Sequence, residues 1–219
     1  VIMLVGLYAL LAVVIVLVYK STHIVSLAHG GILAIGALFF WYLLWVWQLP
    51  LWLSLVLGIA CGTLLGYIIN RGALQPLIGQ PLMSAFLITF ALYELLYGIF
   101  QMILGGISKG YPPFFPSGVV ELGGIRIGLI GLVSFIIALA IFGGIWLFLQ
   151  RSKLGLLMRA TAEEHRLAQS AGIPVKQIFS RAWMISGTIC FVAGLLLAII
   201  VDVSHTLADV DIIALAVAL

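Results

Sequence analysis

Long apolar runs alternate with short polar segments along the whole chain. Each run is about 20 residues long, which is the length that crosses a hydrocarbon core about 30 Å thick. The pattern predicts an all-α polytopic membrane protein with a single transmembrane domain over residues 1–219. About six complete transmembrane helices are predicted, over residues 1–19, 32–47, 51–69, 82–104, 128–149 and 178–201.

The two ends of the chain interrupt this pattern. A seventh apolar run begins at Ile212 and stops at Leu219, before it could cross a membrane. The chain begins at Val1 rather than at a methionine. We therefore expect a chain that is cut at both ends.

Small residues recur at helical spacing in two of the spans, which predicts that neighbouring helices approach closely there. These faces consist of Gly58, Gly62 and Gly66 in the third span, and of Ser186, Cys190 and Gly194 in the sixth.

The longest polar segment separates the fifth and sixth spans. Thr161, followed three residues later by Glu164, has the pattern of a capping box, and Glu163 would lie in the first turn, where the helix dipole favours acids. Gly172 is placed to end the helix in a left-handed turn. We therefore predict a short helix over residues 161–171.

The outer loop at residues 105–127 differs in composition from the other connections. Pro112, Pro113 and Pro116 interrupt regular structure, whereas two short β-prone arms around Gly123-Gly124 predict a hairpin.

Composition excludes a soluble domain, because 64% of the residues are hydrophobic and only 8% are charged, against about 25% charged in soluble domains. The basic residues cluster beside the spans, which favours contact with the lipid bilayer and not with nucleic acid. Cys61 and Cys190 lie inside apolar runs, and the four histidines are scattered. We therefore expect no disulfide, metal or other cofactor.

The charge distribution orients the chain. If the polar segment at residues 150–177 faces the cytoplasm, alternation of the spans places residues 20–31 and 70–81 on the same side. That side, with the first turn of the sixth span, then holds eight Lys and Arg residues, and the opposite side holds Lys109 and Arg126. This agrees with the positive-inside rule. Residues 20–31 could form a loop or a broken helix within the membrane.

A helix held between two spans can pass a push from a soluble partner into the membrane. Its apolar residues Leu167, Ala168 and Ala171 recur at a spacing of three to four. They could fill a groove on such a partner. The alternative is a helix that lies on the lipid surface.

Five residues are candidates for a translocation path: His29, Gly30, Gly31, Thr89 and Glu94. Glu94 is the only acid placed within a predicted span, and a charge at the bilayer centre costs about 2.5–3.5 kcal/mol. It should therefore face the protein interior or a pore, or be protonated. The alternatives are structural roles, namely a hydrogen bond to a neighbouring helix for Glu94 and packing or capping for His29.

Two stretches resemble the permease subunits of bacterial branched-chain amino acid ABC importers. Residues 155–177, GLLMRATAEEHRLAQSAGIPVKQ, are similar to the cytoplasmic coupling loop of that family, and residues 8–36 are similar to its first two helices, with Ala28-His29-Gly30 as a landmark. Ser26-Leu27 stands where the family often has Asn-Phe, and Glu94 departs from the family pattern. No family role is carried over to these positions.

The resemblance implies a set of partners and a coupling role for one group of residues. The partners would be cytoplasmic ATP-binding subunits, a second permease subunit that is identical or different, and a periplasmic solute-binding protein, assembled at the bacterial inner membrane. The coupling residues would be Arg159, Thr161, Glu163, Glu164, Ala168, Gly172 and Ile173.

The same resemblance implies a transport subunit and not an enzyme. The chain contains no G-x-x-x-x-G-K-[ST] phosphate loop, so ATP hydrolysis is expected in a separate chain. Branched-chain amino acids are the expected solutes, with urea or short amides as alternatives. A self-contained secondary transporter or channel, and an intramembrane hydrolase built on Ser26 and His29, are the competing hypotheses.

Overall fold

The computed structural model describes residues 2–105, 107–110, 119–122, 125–163 and 165–204. This part of the chain contains eight α-helices and one β-hairpin. They are α1 (Ile2–Thr22), α2 (Ala28–Trp41), α3 (Leu51–Ile69), α4 (Leu82–Leu104), β1 (Val119–Leu122), β2 (Ile125–Gly128), α5 (Leu129–Arg151), α6 (Lys153–Glu163), α7 (His165–Ser170) and α8 (Val175–Val201). The predicted seventh span, the three loop prolines, Gly123-Gly124 and Glu164 lie outside the described residues.

Five stretches are long and apolar enough to cross a membrane: Ala28–Val46, Leu51–Leu77, Met83–Leu104, Leu132–Arg151 and Val175–Ile200. In α1, the part whose side chains are described, Leu11–Thr22, is a shorter apolar helix. The all-α polytopic membrane fold is therefore confirmed. These stretches correspond to five of the six predicted spans, and the first predicted span corresponds to α1, a helix of 21 residues.

Two spans continue beyond their α-helical part. After α2 the chain makes a π-helical turn at Tyr42–Val46, and after α3 it makes another at Asn70–Leu74. The second turn is joined to α8, because the buried Asn70 donates from Nδ2 to Ser180 Oγ at 2.8 Å.

The hairpin predicted in the outer loop is present. Strands β1 and β2 pair antiparallel, from Val119 opposite Gly128 to Leu122 opposite Ile125.

Helix α8 lies at the centre of the bundle and packs on α1, α2 and α3. The small residues predicted at helical spacing make these contacts possible. A side chain at Gly66 would meet the Trp183 carbonyl, one at Gly62 would meet the Gly187 carbonyl at 2.8 Å, and one at Gly194 would meet the Leu33 carbonyl of α2. Backbones at such distances leave no room for a Cβ atom, so the small-residue faces are confirmed as packing surfaces.

Charged and aromatic residues mark the two ends of the bundle. At one end, Lys109 Nζ lies 4.5 Å from the ring centroid of Trp41, and Lys109 forms a β-bridge with Val203. At the other end, Arg71 after α3 lies beside the first turns of α8, which carry Lys176 and Arg181. Arg71 and the start of α8, which the charge pattern assigned to the same side of the membrane, are therefore neighbours in the structure.

Candidate functional site

The polar segment between α5 and α8 forms two helices, and the first begins earlier than predicted. Ser152 Oγ accepts a hydrogen bond from the Gly155 N–H at 2.8 Å, which is the contact of an N-terminal cap. Gly155 lies against the backbone of Leu149, where a side chain would clash. The chain therefore turns sharply from α5 into α6 at Ser152.

The predicted capping box at Thr161 is wrong. Thr161 lies inside α6, fully buried, and its hydroxyl donates to the Leu157 and Met158 carbonyls at 2.9 Å. Ten helical residues of α6 precede Glu163, so it does not lie in a first turn. Eight helical residues of α6 precede Thr161, so it does not stand at the N-terminus of a helix.

The predicted helix end at Gly172 is confirmed. Gly172 has φ +80°, its N–H donates to the Gln169 carbonyl at 3.0 Å, and the Ile173 N–H donates to the Ala168 carbonyl at 3.0 Å. This pair of bonds is a Schellman motif, completed by packing between Ile173 and Ala168. The left-handed turn allows the chain to leave α7 and enter α8.

Helix α6 has two distinct faces. Its buried side places Met158 against Ile178 and Ala182 of α8. Leu156, which is 62% exposed, and the exposed Arg159 and Glu163 lie on the other side. A push on the exposed side would therefore act directly on α8.

The three apolar residues that were expected to fill a groove on a partner differ in their exposure. Ala168 is buried against Val175 and Phe179 and is not available to a partner. Leu167 is 69% exposed, and Ala171 is exposed as well. We call the exposed residues Leu156, Arg159, Glu163 and Leu167 the coupling surface.

The connection between α1 and α2 is a non-helical stretch enclosed by protein. Thr22 and Ser26 are buried, and their hydroxyls accept hydrogen bonds from the Ile24 and Ala28 N–H groups at 3.3 Å. Helical structure stops at Thr22 and resumes at Ala28, so the segment is a loop, and it is largely buried apart from the exposed His23. Irregular backbone at membrane depth is tolerated where protein surrounds it.

His29 belongs to a buried cluster between α2 and α8. Its ring stacks on Trp183 with centroids 5.0 Å apart, and its Nε2 lies 3.3 Å from Ser186 Oγ. Ser26 Oγ accepts from the Ala28 N–H instead of meeting the His29 ring nitrogens. The arrangement joins two helices and does not form the pair that the hydrolase hypothesis required.

Gly31 and Thr89 lie where α2 meets α4. A Cβ at Gly31 would lie 2.8 Å from Leu96 Cβ. Thr89 is buried, and its hydroxyl donates to the Phe86 carbonyl at 2.8 Å and approaches the Val25 carbonyl at 3.5 Å. Gly30 is buried beside them. These residues hold two helices together around the buried loop.

Glu94 lies apart from this group and is exposed on the surface of the described chain. It stands near the middle of α4, with the exposed Ala91 and Gly98 on the same helical face. Glu94 is therefore not packed against the other described helices of this chain. Open space surrounds Gly98, where a Cβ would meet nothing within 4 Å.

Sequence reasoning did not single out Trp183, Asn70 or Ser152. Trp183 is fully buried and holds His29, and Asn70 ties α3 to α8. A signal was available for Ser152, because a serine at the junction of an apolar run and a polar helix is a common cap.

Comparison with known proteins was made over the whole chain. A family model described as the permease component of branched-chain amino acid transport systems matches residues 1–219. A probable branched-chain amino acid transport permease protein, LivH of Methanocaldococcus jannaschii, is 28% identical over 219 residues, which are 96% of this chain and 68% of that protein.

Two bacterial proteins are similar as well. The high-affinity branched-chain amino acid transport system permease protein BraD of Pseudomonas aeruginosa is 25% identical, and LivH of Salmonella typhimurium is 23% identical. Each match covers 87% of this chain and 66% of the relative, so the chain spans about two thirds of the length of these relatives. No solved structure matches the chain. Because the family model matches the entire chain, the chain belongs to the permease components of branched-chain amino acid transport systems.

Proposed function

We propose that this chain is the membrane-spanning subunit of an ATP-driven importer of branched-chain amino acids in the inner (plasma) membrane. The observation that carries the proposal is the coupling surface. It stands on two short helices that are fixed to α5 through Gly155 and to α8 through Met158 and Ala168. A soluble ATPase that moves against this surface would move α8.

The position of α8 explains how such a movement would spread. Ser186 lies eleven residues after Val175, about 16 Å along the helix. It contacts His29 at the start of α2, and α2 in turn packs on α4 through Gly31. The chain of contacts from the coupling surface therefore runs through α8 and α2 to the helix that carries Glu94.

The partners follow from what the importer needs. ATP-binding subunits dock on the coupling surface because the chain has no phosphate loop of its own. A periplasmic binding protein delivers the solute at the opposite end, near Lys109 and the outer hairpin. A second permease subunit completes the path across the membrane.

The second permease subunit would lie against the face of α4 that carries Glu94. Helix α4 packs mainly on α2 and leaves this face open. A carboxylate facing lipid at mid-span costs about 2.5–3.5 kcal/mol. The small residues Ala91 and Gly98 beside it leave room for a neighbouring helix or for a solute. Glu94 would then contact the ammonium group of an amino acid in transit.

Uptake by the reconstituted importer tests the proposal. The permease, its ATP-binding subunits and a second permease are placed in vesicles with the binding protein outside and ATP inside. We expect uptake of labelled leucine, isoleucine and valine to exceed uptake of labelled urea and acetamide. Uptake of urea or acetamide without uptake of leucine would contradict the proposed solute class.

A further inference from the structure

A basic pocket lies at the end of α3 and α8, on the side of the membrane that carries the coupling surface. It has a volume of about 280 Å³. Among its described lining residues there are three cations and no acid. They are Tyr67, Arg71, Gln75, Lys176, Gln177, Ser180, Arg181 and Met184.

The three cations are not neutralised within the pocket. Arg71 donates to the Tyr67 hydroxyl and lies 5.8 Å from the centroid of its ring, so its guanidinium is held at the pocket wall by a neutral group. Lys176 and Arg181 are exposed and lie five residues apart on α8. Three positive charges around one cavity attract an anionic group with several acceptor oxygens, such as the phosphate of a phospholipid.

A second pocket of about 280 Å³ lies next to the first, further along α8 toward the middle of the membrane. Arg181 and Met184 line both pockets. The second pocket is otherwise lined by Phe148, Leu154 and Ile185, and by Thr63 and Thr188. The two threonine hydroxyls lie 2.7 Å apart and bond to each other, so the groove is suited to hydrocarbon.

The two pockets together have the dimensions of one lipid leaflet. From Lys176 to Thr188, α8 rises about 18 Å, which is roughly half the thickness of a bilayer with its headgroups. We propose that these pockets bind one anionic phospholipid, with its phosphate on Arg71, Lys176 and Arg181 and an acyl chain in the groove between α3, α5 and α8. An acidic segment of an ATPase would match the cations but not the apolar groove.

Lipid retention tests this proposal independently of transport. The permease is purified in detergent, and its binding of phosphatidylglycerol, phosphatidylethanolamine and glycerol 3-phosphate is compared by native mass spectrometry. The pocket variant combines Arg71→Gln and Arg181→Gln. The control combines Lys20→Gln and Arg151→Gln, which removes two exposed charges that do not line either pocket.

We expect the unmodified chain and the control to retain phosphatidylglycerol in preference to phosphatidylethanolamine. The pocket variant should bind phosphatidylglycerol at least tenfold more weakly. Equal retention by the pocket variant and the unmodified chain would overturn the proposal. Glycerol 3-phosphate bound as firmly as the lipid would overturn it as well.

Discussion

Gly66 shows how one missing side chain sets the spacing of two helices. Its Cα faces the Trp183 carbonyl, and Trp183 in turn stacks on His29. A methyl group at position 66 would push α3 away from α8 and disturb the ring that holds His29. The glycine is therefore a requirement of packing and also positions a buried cluster at membrane depth.

Replacing Gly66 with alanine should lower thermal stability more than the same replacement at a glycine that has open space around it. Overpacking costs about 1–3 kcal/mol, so Gly66→Ala should lower the apparent melting temperature by about 2–10 °C. The measurement is tryptophan fluorescence during heating in detergent. Gly143→Ala in α5 is the control, since a Cβ there meets nothing within 4 Å. It should leave the melting temperature unchanged or raise it slightly, and equal shifts would contradict the packing role.

The carboxylate of Glu94 is another single group with a large effect, because it limits which side of α4 can face lipid. If it contacts the solute, Glu94→Gln should lower leucine uptake about tenfold or more, since hydrogen bonds to charged groups contribute about 1.5–3 kcal/mol. Uptake is measured in the reconstituted importer. Unchanged uptake would show that Glu94 does not contact the solute.

Thiol labelling tests whether water reaches position 94 in the assembled importer. In a Cys61→Ala background, Glu94→Cys should react with a membrane-impermeant thiol reagent in the assembled importer. Leu139→Cys, at a mid-span position of α5 that is 59% exposed, should not react because it faces lipid. Protection of both positions would show that water does not reach Glu94.

At the scale of elements, the segment between α5 and α8, here called the coupling segment, is held rigidly, as the proposed coupling role requires. The Ser152 cap and Gly155 fix its start, and the Schellman turn at Gly172 fixes its end. Buried Met158 and Ala168 hold its inner side to α8. A segment held at both ends and along one side transmits a push with little loss to bending.

The exposed side of this segment should determine how well ATP hydrolysis is coupled to uptake. Leu167→Glu places a charge on the exposed apolar contact, so leucine uptake should fall at least tenfold while the melting temperature stays the same. The control is Gln80→Glu, which adds a negative charge at an exposed position before α4. Uptake and thermal unfolding are measured on the same preparations. Equal uptake by the two variants would show that Leu167 does not contact the ATPase.

The helix boundaries could be predicted from the sequence where they depend only on the length of an apolar run. The bounds of α3 and α4 follow from apolar length between polar breaks, and the hairpin follows from its β-prone arms. The start of the coupling segment was mistaken because the motif at Thr161 is local, whereas its burial against α8 depends on packing between distant parts of the chain. For the same reason, the sequence could not show that Ala168 points inward or that Glu94 points outward.

At the scale of the whole molecule, α8 connects the regions that an importer must link. Its first turns carry the coupling segment, its middle holds His29 through Trp183 and Ser186, and its outer half packs on α2 through Gly194. The basic pocket lies against the same helix. The proposed contacts with the ATPases, with lipid and with the solute would therefore meet at one element.

The energy source of uptake tests the central claim most directly. Labelled leucine uptake is measured in vesicles that contain both permease subunits, with or without the ATP-binding subunits, and with either internal ATP or an imposed ion gradient. We expect uptake only with the ATP-binding subunits, ATP and the binding protein together. Uptake driven by an ion gradient in vesicles that lack the ATP-binding subunits would contradict the proposed function.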